Sequence, residues 1–152
     1  MSLRRLAVVP ALVLLVAACS TGGSTPSAAA PSTTAAPPSA GAQTIEVNLT
    51  DALAMEPAEM TVKAGQPVTF KVTNSGATDH EFYLGDEAAQ AEQEEMMQAG
   101  EMLHDTGDGV SLKPGETKEL MYTFTEAGET LAGCHFPGHY AGGMKATITV
   151  TE

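Results

Sequence analysis

The amino-acid sequence predicts an all-β sandwich with one helical insertion. Three observations predict it. Short runs of alternating apolar and polar residues recur from Thr44 to the C-terminus, as they do where one strand face is buried and the other wet. These runs are rich in Val, Thr and Phe, which fit a pleated surface. Turns bearing Gly or Pro break them at short intervals, the spacing of a many-stranded β fold.

The elements follow in order. Ile45, Val47 and Leu49 alternate with polar residues, and so do Met60 and Val62. Ala64-Gly65-Gln66-Pro67 is a turn, after which Val68, Phe70 and Val72 alternate with Thr69, Lys71 and Thr73. Asn74-Ser75-Gly76 ends that run. His80 to Leu84 is the next strand. Leu120, Tyr122 and Phe124 form another, closed by Ala127-Gly128, and Thr130 to Cys134 and Ala146 to Thr151 are the last two. Asp86 to Leu103 breaks the pattern: it is rich in Ala, Glu, Gln and Met, all good helix formers. Asp86 suits an N-cap and Glu87 the positive end of the helix dipole. Met96, Ala99 and Leu103 recur at helical spacing, so residues 86–104 are expected to be a helical insertion packing that narrow apolar face on the sandwich.

The first 43 residues read differently. Residues 1–18 resemble a secretory signal, with Arg4 and Arg5 ahead of an apolar run from Leu6 to Ala18 too short to span a bilayer, which takes about 20 apolar residues. The run ends in Val16-Ala17-Ala18-Cys19, which resembles a bacterial lipobox. Lipidation at Cys19 would give a membrane anchor, whereas an ordinary signal peptide would leave a free cysteine. Residues 20–43 hold Ser, Thr, Ala, Pro and Gly with one Gln and no charge; such a segment buries too little apolar surface to offset chain entropy and is expected to be a disordered tether. The folded domain is then residues 44–152, extracytoplasmic and lipid-anchored.

Charge narrows the partners. The chain has 7 basic and 19 acidic residues, a net charge of −12. Beyond Arg5 only five lysines oppose the acids. Such a surface repels phosphate backbones, which excludes nucleic acid, and it has no basic patch for anionic lipid. A basic protein or a cation remains, and strong like charge favours a monomer.

The chemistry sits near the C-terminus. Cys134-His135-Phe136-Pro137-Gly138-His139-Tyr140-Ala141-Gly142-Gly143-Met144 contains Cys-x4-His-x4-Met between the last two strands. Thiolate, imidazole and thioether are the donor types that select copper. A trigonal His₂Cys plane needs a second imidazole, and His80, at the start of a strand distant in sequence, is well placed to supply it. Zinc held by Cys134, His139, His80 and His135 is an alternative. His135 adjoins Cys134, however, so in extended chain the two side chains point to opposite faces; His135 is expected to be exposed. Met144 is either an axial ligand or a core residue. Met96, Met97, Met102 and His104 form a weaker cluster, either a Cu(I) site or a helix face with an exposed histidine. Met55 and Met60 are expected in the core or loops.

Residues 44–152, with the Gly76-Ala77-Thr78-Asp79-His80-Glu81-Phe82 segment and the Cys134–Met144 loop as signatures, resemble the cupredoxins, the type 1 (blue) copper family. The four-and-four spacing and the insertion after the His80 strand resemble rusticyanin-like and copper-resistance members. The resemblance implies a Greek-key sandwich and one copper held by His80, Cys134, His139 and an axial Met144. Two departures stand out. Many members carry Asn or Ser after the first histidine, tying the ligand loops together, where this chain has Glu81. No second cysteine lies on the loop, which excludes a binuclear centre.

Four protein ligands leave no open position for substrate, so an enzyme is not expected. The expected function is single-electron transfer. The resemblance implies that electrons pass by the His139 edge, within an apolar rim of Phe136, Pro137, Tyr140 and Ala141, to a basic redox protein such as a cytochrome or oxidase. The alternative is copper binding for resistance, storage or delivery. A third reading is a sandwich with no redox role.

Overall fold

The computed structural model describes residues 42–101 and 105–152. Residues 1–18, Cys19 and most of the predicted tether lie outside the described residues, as do Met102, Leu103 and His104. Among the described residues the chain forms β1 (Gln43–Thr50), β2 (Ala54–Glu56), β3 (Glu59–Lys63), β4 (Pro67–Asn74) and β5 (His80–Gly85). After these come α1 (Glu87–Gln98), β6 (Gly109–Leu112), β7 (Thr117–Thr123), β8 (Gly128–Gly133) and β9 (Lys145–Thr151). One sheet has the order β2-β1-β4-β7 and the other β3-β9-β8-β5-β6. The chain passes repeatedly from one sheet to the other. This leaves β1 parallel to β4 and β3 parallel to β9, while the other pairs are antiparallel. The expected two-sheet β fold with one helix is what forms.

Alternation builds the core. Val68, Phe70 and Val72 of β4 are buried, as are Met60 and Val62 of β3 and Ala146, Ile148 and Val150 of β9. Phe70 packs on Phe82 of the opposite sheet at 5.2 Å between ring centroids and meets Phe124 edge-on at 6.4 Å. Burying a side chain of this kind stabilises the fold by about 1.5–3 kcal/mol. Met55 and Met60 are core residues. The strands β2 and β6 were not anticipated: three residues are too few to show alternation, and Gly109 and Ser111 weaken the pattern of β6.

The helix begins as predicted and ends early. The Asp86 carboxylate accepts from Ala89 N at 2.9 Å. At the other end Gly100 takes φ 87°, Gly100 N donates to Met97 O and Glu101 N to Met96 O. This is a Schellman stop, and the left-handed residue it requires is most readily glycine. The buried face also differs from Met96, Ala99 and Leu103. Met96 is 37% exposed and Ala99 is exposed, whereas Gln90, Gln93 and Met97 are buried. Leu103 lies outside the described residues. The helix packs on β5 and β8, and its inner stripe is polar because of what lies beneath it.

Candidate metal centre

Two neighbouring strands bring the donors together. β5 opens with His80, and Tyr83 of β5 pairs with Gly133, the last residue of β8. Cys134 therefore leaves β8 beside the start of β5. The loop from Cys134 to Met144 is closed by its own backbone: Cys134 N donates to Met144 O at 3.1 Å, Met144 N to His139 O at 3.0 Å, and His139 N to Phe136 O at 2.8 Å. Met144 is thus fastened to both Cys134 and His139, and its side chain is fully buried.

His80, Cys134 and His139 each offer one donor atom, and the three atoms lie within 4.8 Å of one another. Cys134 Sγ is 3.9 Å from His80 Nδ1 and 3.4 Å from His139 Nδ1. A metal about 2.0–2.3 Å from each of three donors in a plane would hold them about 3.5–4 Å apart, so the set fits one ion. His80 and Cys134 are inaccessible to solvent, while His139 is half-buried.

Burial sets the titration of Cys134 and His139. It pushes the Cys134 thiol up to about 12, against the opposing effect of backbone N–H groups, one of which, Glu81 N, points at Sγ from 3.4 Å. Burial and the neighbouring His80 hold His139 below its ordinary value, so its nitrogen is available as a neutral donor.

One expectation is corrected. His135 is 1% exposed, not a surface residue. Its Nδ1 meets Glu94 Oε2 at 2.9 Å and its Nε2 meets Gln90 Oε1 at 2.7 Å. Gln90 Nε2 points to the carbonyls of Tyr83, Gly85 and Leu131. Oε1 is therefore the atom turned to the imidazole, and Nε2 of His135 donates to it. Both ring nitrogens face acceptors, an arrangement that only the imidazolium satisfies on both sides; burial opposes that charge and the Glu94 carboxylate favours it. His135 does point away from Cys134's partners, and it is not in the cluster of donor atoms; this removes it from the zinc set.

Glu81 is also buried, at 0% exposure. Its Oε1 accepts from His135 N at 2.6 Å, so a carboxylate here ties the β5 strand to the ligand loop. Oε2 has no hydrogen-bond partner, although the Gln93 side chain is near enough to favour the ionised form; burial outweighs this and raises the carboxyl to about 7.

Around His139 stand Phe136 and Tyr140, half-buried, and Pro137 and Ala141, exposed. Tyr140 stacks on His135 at 4.5 Å, and Lys145 Nζ lies 5.1 Å from the Tyr140 ring centroid. The methionine cluster does not assemble among the described residues: Met97 turns into the protein while Met96 faces out, and Met102 and His104 lie outside the described residues.

The residues that sequence reasoning missed are Gln90, Gln93 and Glu94. Their signal was a polar stripe at helical spacing, and an apolar criterion passes over it. Glu81 and His135 carried no signal for burial, which arises only when the helix covers them.

The family model of the cupredoxin-like domain matches residues 11–150. The "Copper-resistant cuproprotein CopI" of Rubrivivax gelatinosus is 34% identical over 109 residues, 71% of this chain and 66% of that protein. The protein of the same name from Vibrio cholerae is 40% identical over 91 residues, 59% of this chain and 54% of its own length. The chain thus spans about half to two thirds of the length of these curated relatives. Among solved structures, reduced auracyanin from the photosynthetic bacterium Roseiflexus castenholzii superposes with a TM-score of 0.64 at 30% identity, covering 72% of this chain and 98% of auracyanin. The match to the family extends over the whole sandwich, and the thiol and two imidazoles converge where a copper donor set requires them. The chain belongs to the cupredoxin family and takes one copper as its cofactor.

Proposed function

We propose that this protein is an extracytoplasmic single-electron carrier whose copper is held by His80, Cys134, His139 and Met144. The observation that carries the reading is the convergence of Nδ1, Sγ and Nδ1 within 4.8 Å on an edge where only His139 reaches solvent. Copper bound there supplies a one-electron couple between Cu(II) and Cu(I). The protein's contribution is constraint. Backbone bonds fasten Met144 to Cys134 and His139, Glu81 ties the loop to β5, and the Glu81 N–H turned to Sγ tunes the thiolate. A donor set that suits both oxidation states and cannot rearrange lowers the barrier to electron exchange. The half-buried His139 edge, rimmed by Phe136, Pro137, Tyr140 and Ala141, is the exit. The acidic surface steers a basic partner such as a cytochrome or oxidase. With four protein ligands the centre has no place for substrate, and the protein is read as a monomeric carrier, not an enzyme. Cys19 anchors it to the membrane through lipid, and residues 20–43 let the domain stand away from the surface.

The test is voltammetry of the copper-loaded chain with stopped-flow electron exchange to a basic cytochrome. A reversible one-electron wave and exchange that slows as salt rises are expected. An irreversible wave would count against the reading. A second reading, copper binding for resistance, storage or delivery, is favoured by the relatives named copper-resistant cuproprotein. It predicts more than one Cu(I) bound per chain and loss of the extra copper when Met96, Met97 and His104 are replaced together.

A further inference from the structure

His80 has two ring nitrogens, and only Nδ1 faces Cys134. The other, Nε2, is turned toward the segment before β5 and the turn after β1. It lies 3.4 Å from Thr78 Oγ1 and 3.4 Å from Asp51 Oδ1. Thr78 Oγ1 is in turn 2.9 Å from Asp51 Oδ1.

The direction of these bonds follows from their chemistry. An ionised carboxylate only accepts. Asp51 accepts from the backbone N–H groups of Ala77 and Thr78 as well as from the Thr78 hydroxyl, the acceptor-only pattern of a carboxylate. The Thr78 hydroxyl therefore spends its single proton on Asp51. What remains to Thr78 Oγ1 is a lone pair, and the group facing it on His80 must be an N–H. Nε2 then carries the imidazole proton, and Nδ1 carries the lone pair that faces Sγ.

The arrangement is built rather than incidental. Asp51 also accepts from Ala77 N at 2.7 Å and Thr78 N at 3.3 Å, so one carboxylate holds both the segment and the hydroxyl. Buried Asn74 fixes the same segment from the other side, donating to Thr78 O at 2.8 Å and Leu112 O at 3.0 Å. Glycine at position 76 leaves room for this contact: a Cβ there would displace the Asp51 carboxylate and come 3.0 Å from His80 Nε2.

We propose that Thr78 and Asp51 are positioning residues for the copper, a hydroxyl and a carboxylate in series that hold His80 in its Nε2–H tautomer and present Nδ1 to the metal. The carboxylate at the end of the series also makes Nδ1 a stronger donor to Cu(II). The proposal rests on the reading of His80 as a ligand.

The experiment compares the full-length chain with Thr78→Val and Thr78→Ser. Valine is close in shape to threonine and changes no charge, so simple electrostatics is controlled; serine keeps the hydroxyl. The first readout is long-range ¹H–¹⁵N NMR of the metal-free proteins, which identifies the protonated ring nitrogen. The parent and Thr78→Ser should show His80 as Nε2–H, and Thr78→Val should lose that single tautomer. The second readout is the copper potential. Outer-shell partners of a ligating histidine typically change metal affinity by 10–100-fold. We expect Thr78→Val to lower Cu(II) affinity relative to Cu(I) about tenfold, which raises a one-electron potential by about 59 mV, with Thr78→Ser close to the parent. A His80 Nδ1–H in the metal-free parent overturns the relay itself. An unchanged potential in Thr78→Val, with the tautomer lost, overturns its role toward copper. Retention of the copper spectrum in His80→Gly would overturn the ligand reading on which the proposal rests.

Discussion

Replacing His135 by leucine should destabilise the metal-free protein by about 2 kcal/mol. The figure comes from its contacts. Gln90 is 1% exposed, so its Oε1 cannot find water when the 2.7 Å donor is removed. Leaving one buried acceptor unpaired costs about 1–3 kcal/mol. The Glu94 side chain is 24% exposed and can rehydrate, so its lost bond counts for about 1 kcal/mol or less. Leucine returns about 1 kcal/mol through greater apolar burial. The backbone bond from His135 N to Glu81 survives the change. Urea unfolding followed by circular dichroism would measure the difference, with copper absent so that its binding does not contribute. A domain of this size should melt about 8 °C lower. The double variant with Gln90→Leu should cost less than the sum of the singles, by about 1 kcal/mol, because both partners are then removed together. A loss under about 0.5 kcal/mol, as at an exposed position, or strict additivity with Gln90→Leu, would refute the buried network.

Other expectations follow from the same structure. At pH 7 the Cys134 thiol, raised to about 12 by burial, is protonated; Cu(II) binding as thiolate should release about one proton per copper, measurable in weakly buffered solution, and Cys134→Ser should abolish that release. Phe70→Ala removes a ring that is 0% exposed and packs on Phe82 and Phe124, and should cost about 3–5 kcal/mol in urea unfolding. Asp86→Ala removes the acceptor of Ala89 N and should cost about 1 kcal/mol, while Asp86→Asn should cost less.

What the sequence made legible was whatever depends on local pattern. Val68, Phe70 and Val72 alternate because one face of β4 is core, and that period can be read without a structure. The three residues whose donor atoms converge, His80, Cys134 and His139, could be picked out too, from a thiol and an imidazole at fixed spacing on one loop and a histidine that opens a distant strand. The N-cap at Asp86 was a local signal as well. What failed was non-local. Gln90, Gln93, Glu94, Glu81 and His135 are polar, and composition places polar groups in water. Glu81, Gln90, Gln93 and His135 are buried, and Glu94 half-buried, because α1 lies over β5 and β8, where Gln90 and Glu94 meet the His135 ring and Glu81 meets its backbone N–H. The helix ended at Gln98, closed by a Schellman turn at Gly100, a stop that the helix-forming composition did not announce. Asp51 and Thr78 meet across 27 positions, and no spacing rule links a turn after β1 to a histidine on β5.

The most direct test of the central claim is the visible absorption spectrum of the chain during titration with Cu(II), alongside Cys134→Ser. The account predicts an intense thiolate-to-copper band in the blue or green range that saturates at about one copper per chain and is absent from the serine variant. A colourless copper complex, or a band that survives loss of the Cys134 sulfur, would contradict it.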